Sequence, residues 1–259
     1  MRILGLDTAT RATTVAWLDT ETGAAVGRRD DPPRGARPRH TPRLMGLVVE
    51  TLQEAGVDWD GVDRIAVGVG PGTFTGLRIG IATARALAIA RAIPIVGVCT
   101  LRALAGGAAL AACEHGRAAL AVLDARRGEA FAAGWSTPSH DPEVMAAASP
   151  SLRPAALAPD EFAAALRAGG GRWLAVGEGA VAFRTTLERA GVLVASDGSA
   201  LHRVGALSHC RLASALEPEA PHAVRPAYLR RPDAEIALRA RERDSPMPST
   251  ATPDDRHPR

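Results

Sequence analysis

Apolar and polar positions alternate along the chain with two periods, and the changes between them mark out elements. Arg2–Asp7 and Thr13–Asp19 read as strands, the second rich in β-branched residues. Thr22–Arg28 follows closely enough to complete a three-stranded meander. From Thr41 the period changes. Leu44, Leu47, Val48, Thr51, Leu52 and Ala55 recur at i, i+3, i+4 and i+7, the apolar face of a helix. Thr41-Pro42 suits its start and Gly56 its end. Ile65–Val69 then reads as a buried strand and Gly70-Pro71-Gly72 as a sharp turn. Gly76–Arg91 is a helix with Thr73 and Thr75 as caps, and Ile93–Val98 is a returning strand. Strand, loop, helix and strand predict parallel pairing with a right-handed crossover.

The β-β-β-α-β-α order is that of the ribonuclease-H-like lobe used by actin, Hsp70 and sugar kinases, a topology that does not settle function. Thr100 caps a further helix to about Cys113, and 117–136 reads as two strands joined at Arg126–Gly128 that open a second lobe. Residues 137–158 are rich in Pro, Ala and Ser and are assigned little structure. Helix is expected over 160–168, strand then helix over 173–180, a short strand at 192–195, helix over 202–216 and an extended stretch at 224–232. The expected fold class is therefore α/β, an actin-like (ASKHA) two-lobed fold. Its divisions are an N-terminal lobe at 1–114, a C-terminal lobe at 115–235 and a disordered tail at 236–259.

One helix breaks a local rule. Gly76, Gly80, Ala84 and Ala88 recur every fourth residue and stack as a smooth stripe, although each glycine costs a helix about 1 kcal/mol against alanine. Such a stripe brings another backbone close. Its first reading is a docking surface for another chain, so that Gly80→Leu would block complex formation and leave the subunit folded. The second is an anion cradle. Gly70-x-Gly72-x-x-x-Gly76 is one residue too long for a dinucleotide fingerprint, and the chain contains no lysine for a phosphate loop. Met45 and Val49 likewise widen the apolar arc of the 42–55 helix beyond what one sheet requires, which either a protein partner or mutual packing of the two helices would explain.

Composition narrows the class. The 259 residues are 46% hydrophobic but only 3% aromatic, so the core rests on Ala, Val, Leu and Ile. The formal net charge is +3, which permits nucleic-acid contact without arguing for it. Residues 28–43 hold six arginines, four prolines and two aspartates and read as a solvated loop. Cys99, Cys113 and Cys210 are scattered and odd in number, as in a reducing compartment. No apolar run approaches the roughly 18 residues of a membrane span, and Met1 opens directly on a strand. A cytoplasmic protein is expected.

Three stretches together resemble the TsaB (YeaZ) family, paralogues of the threonylcarbamoyl transferase TsaD: MRILGLDTAT at 1–10, GPGTFTGLRIGIATARALA at 70–88 and LDARRGEAF at 123–131. HTPRL at 40–44 and PAYLR at 226–230 also sit where the family has similar sequences. The resemblance is dense over 1–135 and thin over 136–222. It implies a non-catalytic subunit of the actin-like fold that activates a TsaD homologue, with a TsaE homologue, in forming N6-threonylcarbamoyladenosine at position 37 of tRNAs reading ANN codons. It also implies a homodimer when the chain is alone, indirect contact with tRNA, and ATP at the level of the complex, with no cofactor assigned to this chain. Carried over by position, the partner surface is Leu44, Leu47, Val48 and Leu52 with Gly76, Gly80 and Ala84.

TsaD-type proteins hold metal through two histidines one helical turn apart. None of His40, His115, His140, His202, His209, His222 and His257 is so paired on a helix. His40 reads as a hydrogen-bonding group at a helix start. Actin-fold ATPases read phosphate through Asp-x-Gly-x-Thr after the first strand, and here the run is Asp7-Thr8-Ala9-Thr10. A Cβ at Ala9 crowds the backbone approach to phosphate. The candidates for a nucleotide are Asp7, Thr8, Thr10, Gly72 and Thr73, with Asp7 read alternatively as a turn cap. Gly177 and Gly179 weakly suggest an adenosine-side turn, and Asp124, Arg126, Arg127 and Glu129 read as charges on a hairpin. The competing class is an actin-fold ATPase or small-molecule kinase acting alone; a direct tRNA-binding module is third.

Overall fold

Alternation along β1 (Arg2–Asp7) decides how the molecule is layered. Leu4 and Leu6 join an apolar cluster with Leu47, Val67 and Ile81, and Ile3 joins another with Ala16, Leu101 and Ala206. The structure, a computed structural model, describes residues 1–33 and 35–230. β1 pairs antiparallel with β2 (Thr13–Asp19), and β2 with β3 (Ala25–Asp30). On its other side β1 runs parallel to β4 (Arg64–Gly70), and β4 to β5 (Ile95–Cys99). The crossovers are α1 (His40–Ala55) and α2 (Phe74–Arg91), both on the Leu4/Leu6 face.

The same topology recurs. β6 (Ala118–Arg126), β7 (Glu129–Trp135) and β8 (Leu152–Leu157) form an antiparallel meander, and β9 (Trp173–Val176) and β10 (Leu193–Val194) extend it in parallel from β6. The orders β3-β2-β1-β4-β5 and β8-β7-β6-β9-β10 correspond strand for strand. Between the sheets lie α3 (Thr100–Gly107), α4 (Ala109–Glu114), α5 (Pro142–Ala147) and α9 (Ala206–Ser214); α6 (Pro159–Gly169), α7 (Glu178–Ala182) and α8 (Arg184–Arg189) belong to the second sheet's crossovers. Two copies of one lobe about central helices make the expected actin-like fold. α9 returns from the second sheet to lie on β1, β2 and β4. Gly5 makes room for it: a Cβ there would sit 2.6 Å from Cys210 Sγ and 2.7 Å from Ala206 O.

Local departures from the sequence reading have physical reasons. The stretch 137–158, assigned little structure, holds α5 and β8. Asp141 caps α5 by accepting the Glu143 N–H at 2.9 Å, with Pro142 in the first turn. β8 carries Pro154 and sits at the sheet's edge, where a missing N–H is tolerated. The 100–113 helix is two helices meeting at Ala108, the 202–216 helix is shorter, and α8 was not foreseen. None of the threonine caps forms: α1 begins at His40, Thr73 makes no side-chain cap bond, and Thr100 lies inside α3. Gly56 does close α1, at φ 68°. The tail expected at 236–259 lies outside the described residues, as do 231 and 232.

α2 ends on Ala92 at φ 53°, a left-handed position that glycine holds without strain. Ala92→Gly is expected to raise the unfolding free energy by about 1 kcal/mol, read as a higher urea midpoint at unchanged m.

Candidate functional site

In an open sheet of this topology the ligand crevice lies beyond the C-terminal ends of the parallel strands, here β1 and β4. Alternation puts Asp7 on the same face as Ile3 and Gly5, toward α9. Its Oδ1 accepts the Ala9 N–H at 2.9 Å, and its Oδ2 accepts the Thr100 hydroxyl at 3.3 Å and lies 3.1 Å from His209 Nε2. Asp7 and His209 are both sealed from solvent. His209 Nδ1 sits 3.2 Å from Gly205 O, one turn earlier in the chain, and donates to it. A Cβ on Gly68 would overlap this carboxylate. Asp7 is a turn cap, as the alternative reading had it, and also the anchor of α9.

The other nucleotide candidates are spent on one another. Thr8 Oγ1 donates to Gly76 O at 2.7 Å, and the Thr73 N–H, a natural phosphate donor, goes to Ala9 O at 2.7 Å. Gly72 is not at positive φ; it is glycine because a Cβ would lie 2.7 Å from Ala9 Cβ. Thr8 and Thr10 are buried in the same turn. The β1–β2 turn occupies the place where the anion-cradle reading puts a phosphate. Gly177 and Gly179 serve close packing of α7 on β6, since a Cβ on Gly177 would overlap Val122 O and one on Gly179 would lie 2.6 Å from Leu123 C. Among the described residues no three His, Cys, Asp or Glu side chains converge as metal ligands.

His40 begins α1, buried, with Nδ1 2.9 Å from Thr13 Oγ1. Burial lowers its pKa from 6.5 against the opposing pull of Asp7 and Asp30. As pH falls below that value the unfolded chain takes up the proton first. This contribution to stability is therefore complete above pH 6.5 and drains away below it, toward the lower folded pKa. Urea titrations from pH 7.5 downward should show it as a slope of up to about 1.4 kcal/mol per pH unit, flattened in His40→Gln.

The residues expected to meet a partner lie inside this chain. Leu44, Leu47, Val48 and Leu52 are buried where α1 packs on β2, β3 and α2, Gly76 and Gly80 face the β1–β2 turn, and Ala84 is buried in the same apolar cluster. A Cβ on Gly76 would overlap Thr8 O, and one on Gly80 would overlap Thr8 Oγ1. The close backbone approach foreseen from the stripe is real, but it is intramolecular, so the docking assignment of these seven residues is corrected. What the two helices leave outward is different. α1 shows Met45 and Val49, and α2 shows Phe74, Arg78, Ala82, Ala86 and Ile89. Tyr228 stacks on Phe74 at 5.3 Å, and Arg78 lies 3.8 Å over the Phe74 ring and donates to the Tyr228 hydroxyl. The sequence signal was the same apolar excess, read on the wrong stripe.

Several charges in and around the 28–43 stretch are committed within the chain. Arg28 pairs with Glu50 and Glu54, Arg39 and Arg43 with Asp30, and Arg29 with Asp31, while Arg11 donates to Pro33 O and Ala36 O. In the second lobe Asp124 Oδ1 accepts the Arg126 N–H at 2.8 Å, holding the hairpin in which Arg126, Arg127 and Gly128 all have positive φ. Glu178 faces this hairpin; burial, then Asp124, raises its pKa against Arg126, Arg11 and Arg29.

Residues 32–149 match the family model for TsaD, described as a tRNA N6-adenosine threonylcarbamoyltransferase. The tRNA threonylcarbamoyladenosine biosynthesis protein TsaB of Escherichia coli (strain K12) is 34% identical over 203 residues, 78% of this chain and 81% of that protein. YeaZ from Pseudomonas aeruginosa superposes with a TM-score of 0.69 at 28% identity, covering 88% of this chain and 99% of that one. A further Pseudomonas aeruginosa structure, described as similar to peptidase YEAZ, gives 0.68 at 30% identity over the same shares. Among the described residues no helix is long and apolar enough to cross a membrane.

Proposed function

The chain belongs to the TsaB (YeaZ) family, and from that membership we propose how it carries out its part in tRNA modification. It is a non-catalytic partner that acts with a TsaD-like transferase. In the proposed assembly it forms a heterodimer through the outward faces of α1 and α2, with Met45, Val49, Phe74, Ala82, Ala86 and Ile89 as contact surface and Arg78 and Arg85 beside them. The observation that carries this reading is the second, exposed stripe on α2. Phe74, Arg78, Ala82, Ala86 and Ile89 follow one another at helical spacing, and the small side chains permit close approach of a partner helix.

Several finer features belong to the same proposal. The product is N6-threonylcarbamoyladenosine at position 37 of tRNAs reading ANN codons, a TsaE-like subunit takes part, and ATP is handled by the complex in the cytoplasm. The outward faces pair with a second copy when the transferase is absent, and tRNA is met by the complex. The lobe boundary is proposed at 114/115, between α4 and β6. Reading the chain as a kinase acting alone has to account for phosphate donors already bonded within it. Reading it as a tRNA-binding module has to account for Arg28, Arg29, Arg39 and Arg43, which already pair with carboxylates of the chain.

Reconstitution tests the function. The TsaD-type transferase and TsaE-like subunit of the same cell, supplied with tRNA, ATP and threonylcarbamoyl donor, should form the modified base only when this chain is added, with activity saturating near equal amounts. Equal activity without the chain, or steady ATP turnover by the chain alone, would overturn the reading.

A further inference from the structure

On the opposite face of the first sheet from α1 and α2, the end of β2, the α3–α4 break, the loop into α5 and α9 enclose a cleft of about 550 Å³. That is within the roughly 300–1,000 Å³ of small-molecule sites. Gly106 and Gly107, which end α3 without side chains, form part of its wall. Leu18, Met145 and Leu212 form a buried apolar floor, and Leu110 stands at the rim 59% exposed.

The polar groups of the lining divide into two sets. Asp19 accepts from the Glu21 N–H and the Thr22 hydroxyl and lies 4.0 Å from the N-terminal amine. Thr20 donates to Met1 O, Ser139 accepts from the Asp141 N–H, and Ser214 donates to Arg211 O. These are committed. The Arg211 guanidinium, the His140 imidazole and the Ser208 hydroxyl line the same cleft with no hydrogen bond or ion pair to any described residue. Ser208 and Arg211 are three apart on α9 and so share one face of it, while His140 comes from the loop before α5.

An apolar floor beneath two cation-capable donors and a hydroxyl suits one class of ligand. We propose that this cleft binds a small organic anion, with its carboxylate, sulfonate or phosphate on Arg211 and His140 and a compact apolar body against Leu18, Met145 and Leu212. The site stands apart from both the β1–β2 turn and the docking helices, and it does not depend on the functional reading above.

The probe is 1-anilinonaphthalene-8-sulfonate, followed by fluorescence on the full chain. Saturable binding at one site is expected, weakened about tenfold or more in Arg211→Met by loss of a charge-assisted bond. It should be weakened in Gly106→Val as well, which narrows the cleft and keeps every charge, and unchanged in Ile89→Asp on the docking face. Arg211 is exposed, so its variant tests the site even where Gly106→Val lowers stability. No saturable binding, binding that Arg211→Met leaves intact, or binding lost in Ile89→Asp would overturn the proposal.

Discussion

Leucine in place of Gly80 is expected to lower the unfolding free energy by about 3 kcal/mol or more. The cost has two parts. A Cβ at 80 overlaps Thr8 Oγ1, and Thr8 has nowhere to retreat, being buried with its hydroxyl on Gly76 O at 2.7 Å. Overpacking costs roughly 1–3 kcal/mol, and displacing the hydroxyl strands a buried donor for a similar amount. Circular dichroism on heating and urea titration measure the loss. A double-mutant cycle separates the parts: Thr8→Ala removes the overlapping atom, so Gly80→Ala should cost about 1–2 kcal/mol less in that background than alone. Gly80→Leu with wild-type stability and a selective loss of partner binding would restore the stripe to the outside.

This reverses the reading that the sequence invites, and the reason is instructive. A stripe of small residues says that a backbone comes close without saying whose. The neighbour is Thr8, many residues earlier in the chain, and no local pattern connects the two. His209 was missed for the same reason. Its partner Asp7 lies at the other end of the chain, and only the pleat of β1 and the return of α9 bring them together. Where the determinants are local, the reading succeeds. The meander, both crossovers and the β6–β7 hairpin follow from periodicity and turn residues within a few positions. α5 was legible too, in Asp141-Pro142-Glu143, but the surrounding Ala, Ser and Pro hid a helix of one and a half turns.

The duplication of the lobe explains what the two helices of the first lobe are free to do. Each sheet has an inner face closed by the central helices and an outer face closed by its own crossovers, so folding alone uses the inward stripes of α1 and α2. An outward apolar stripe adds nothing to that core. The proposed docking would give it a purpose, and this separates the two stripes experimentally.

Val49→Asp combined with Ile89→Asp should leave the unfolding free energy within about 0.5 kcal/mol of wild type, because the side chains are 47% and 69% exposed. Arg85 lies one turn before Ile89 and can pair with the new carboxylate in the free subunit. In the complex the same carboxylates must leave water, and an exposed pair offers little return for that. Affinity for the TsaD-type transferase, measured by calorimetry, is expected to fall about 100-fold or more, about 2.8 kcal/mol at 1.4 kcal/mol per tenfold. Formation of threonylcarbamoyladenosine should fall with it and recover when the variant is supplied in excess, since no reacting group has been touched. Unchanged affinity in a folded double variant would place the transferase on another face of the chain. Reduced affinity with no recovery in excess would mean that the stripe does more than hold the partner.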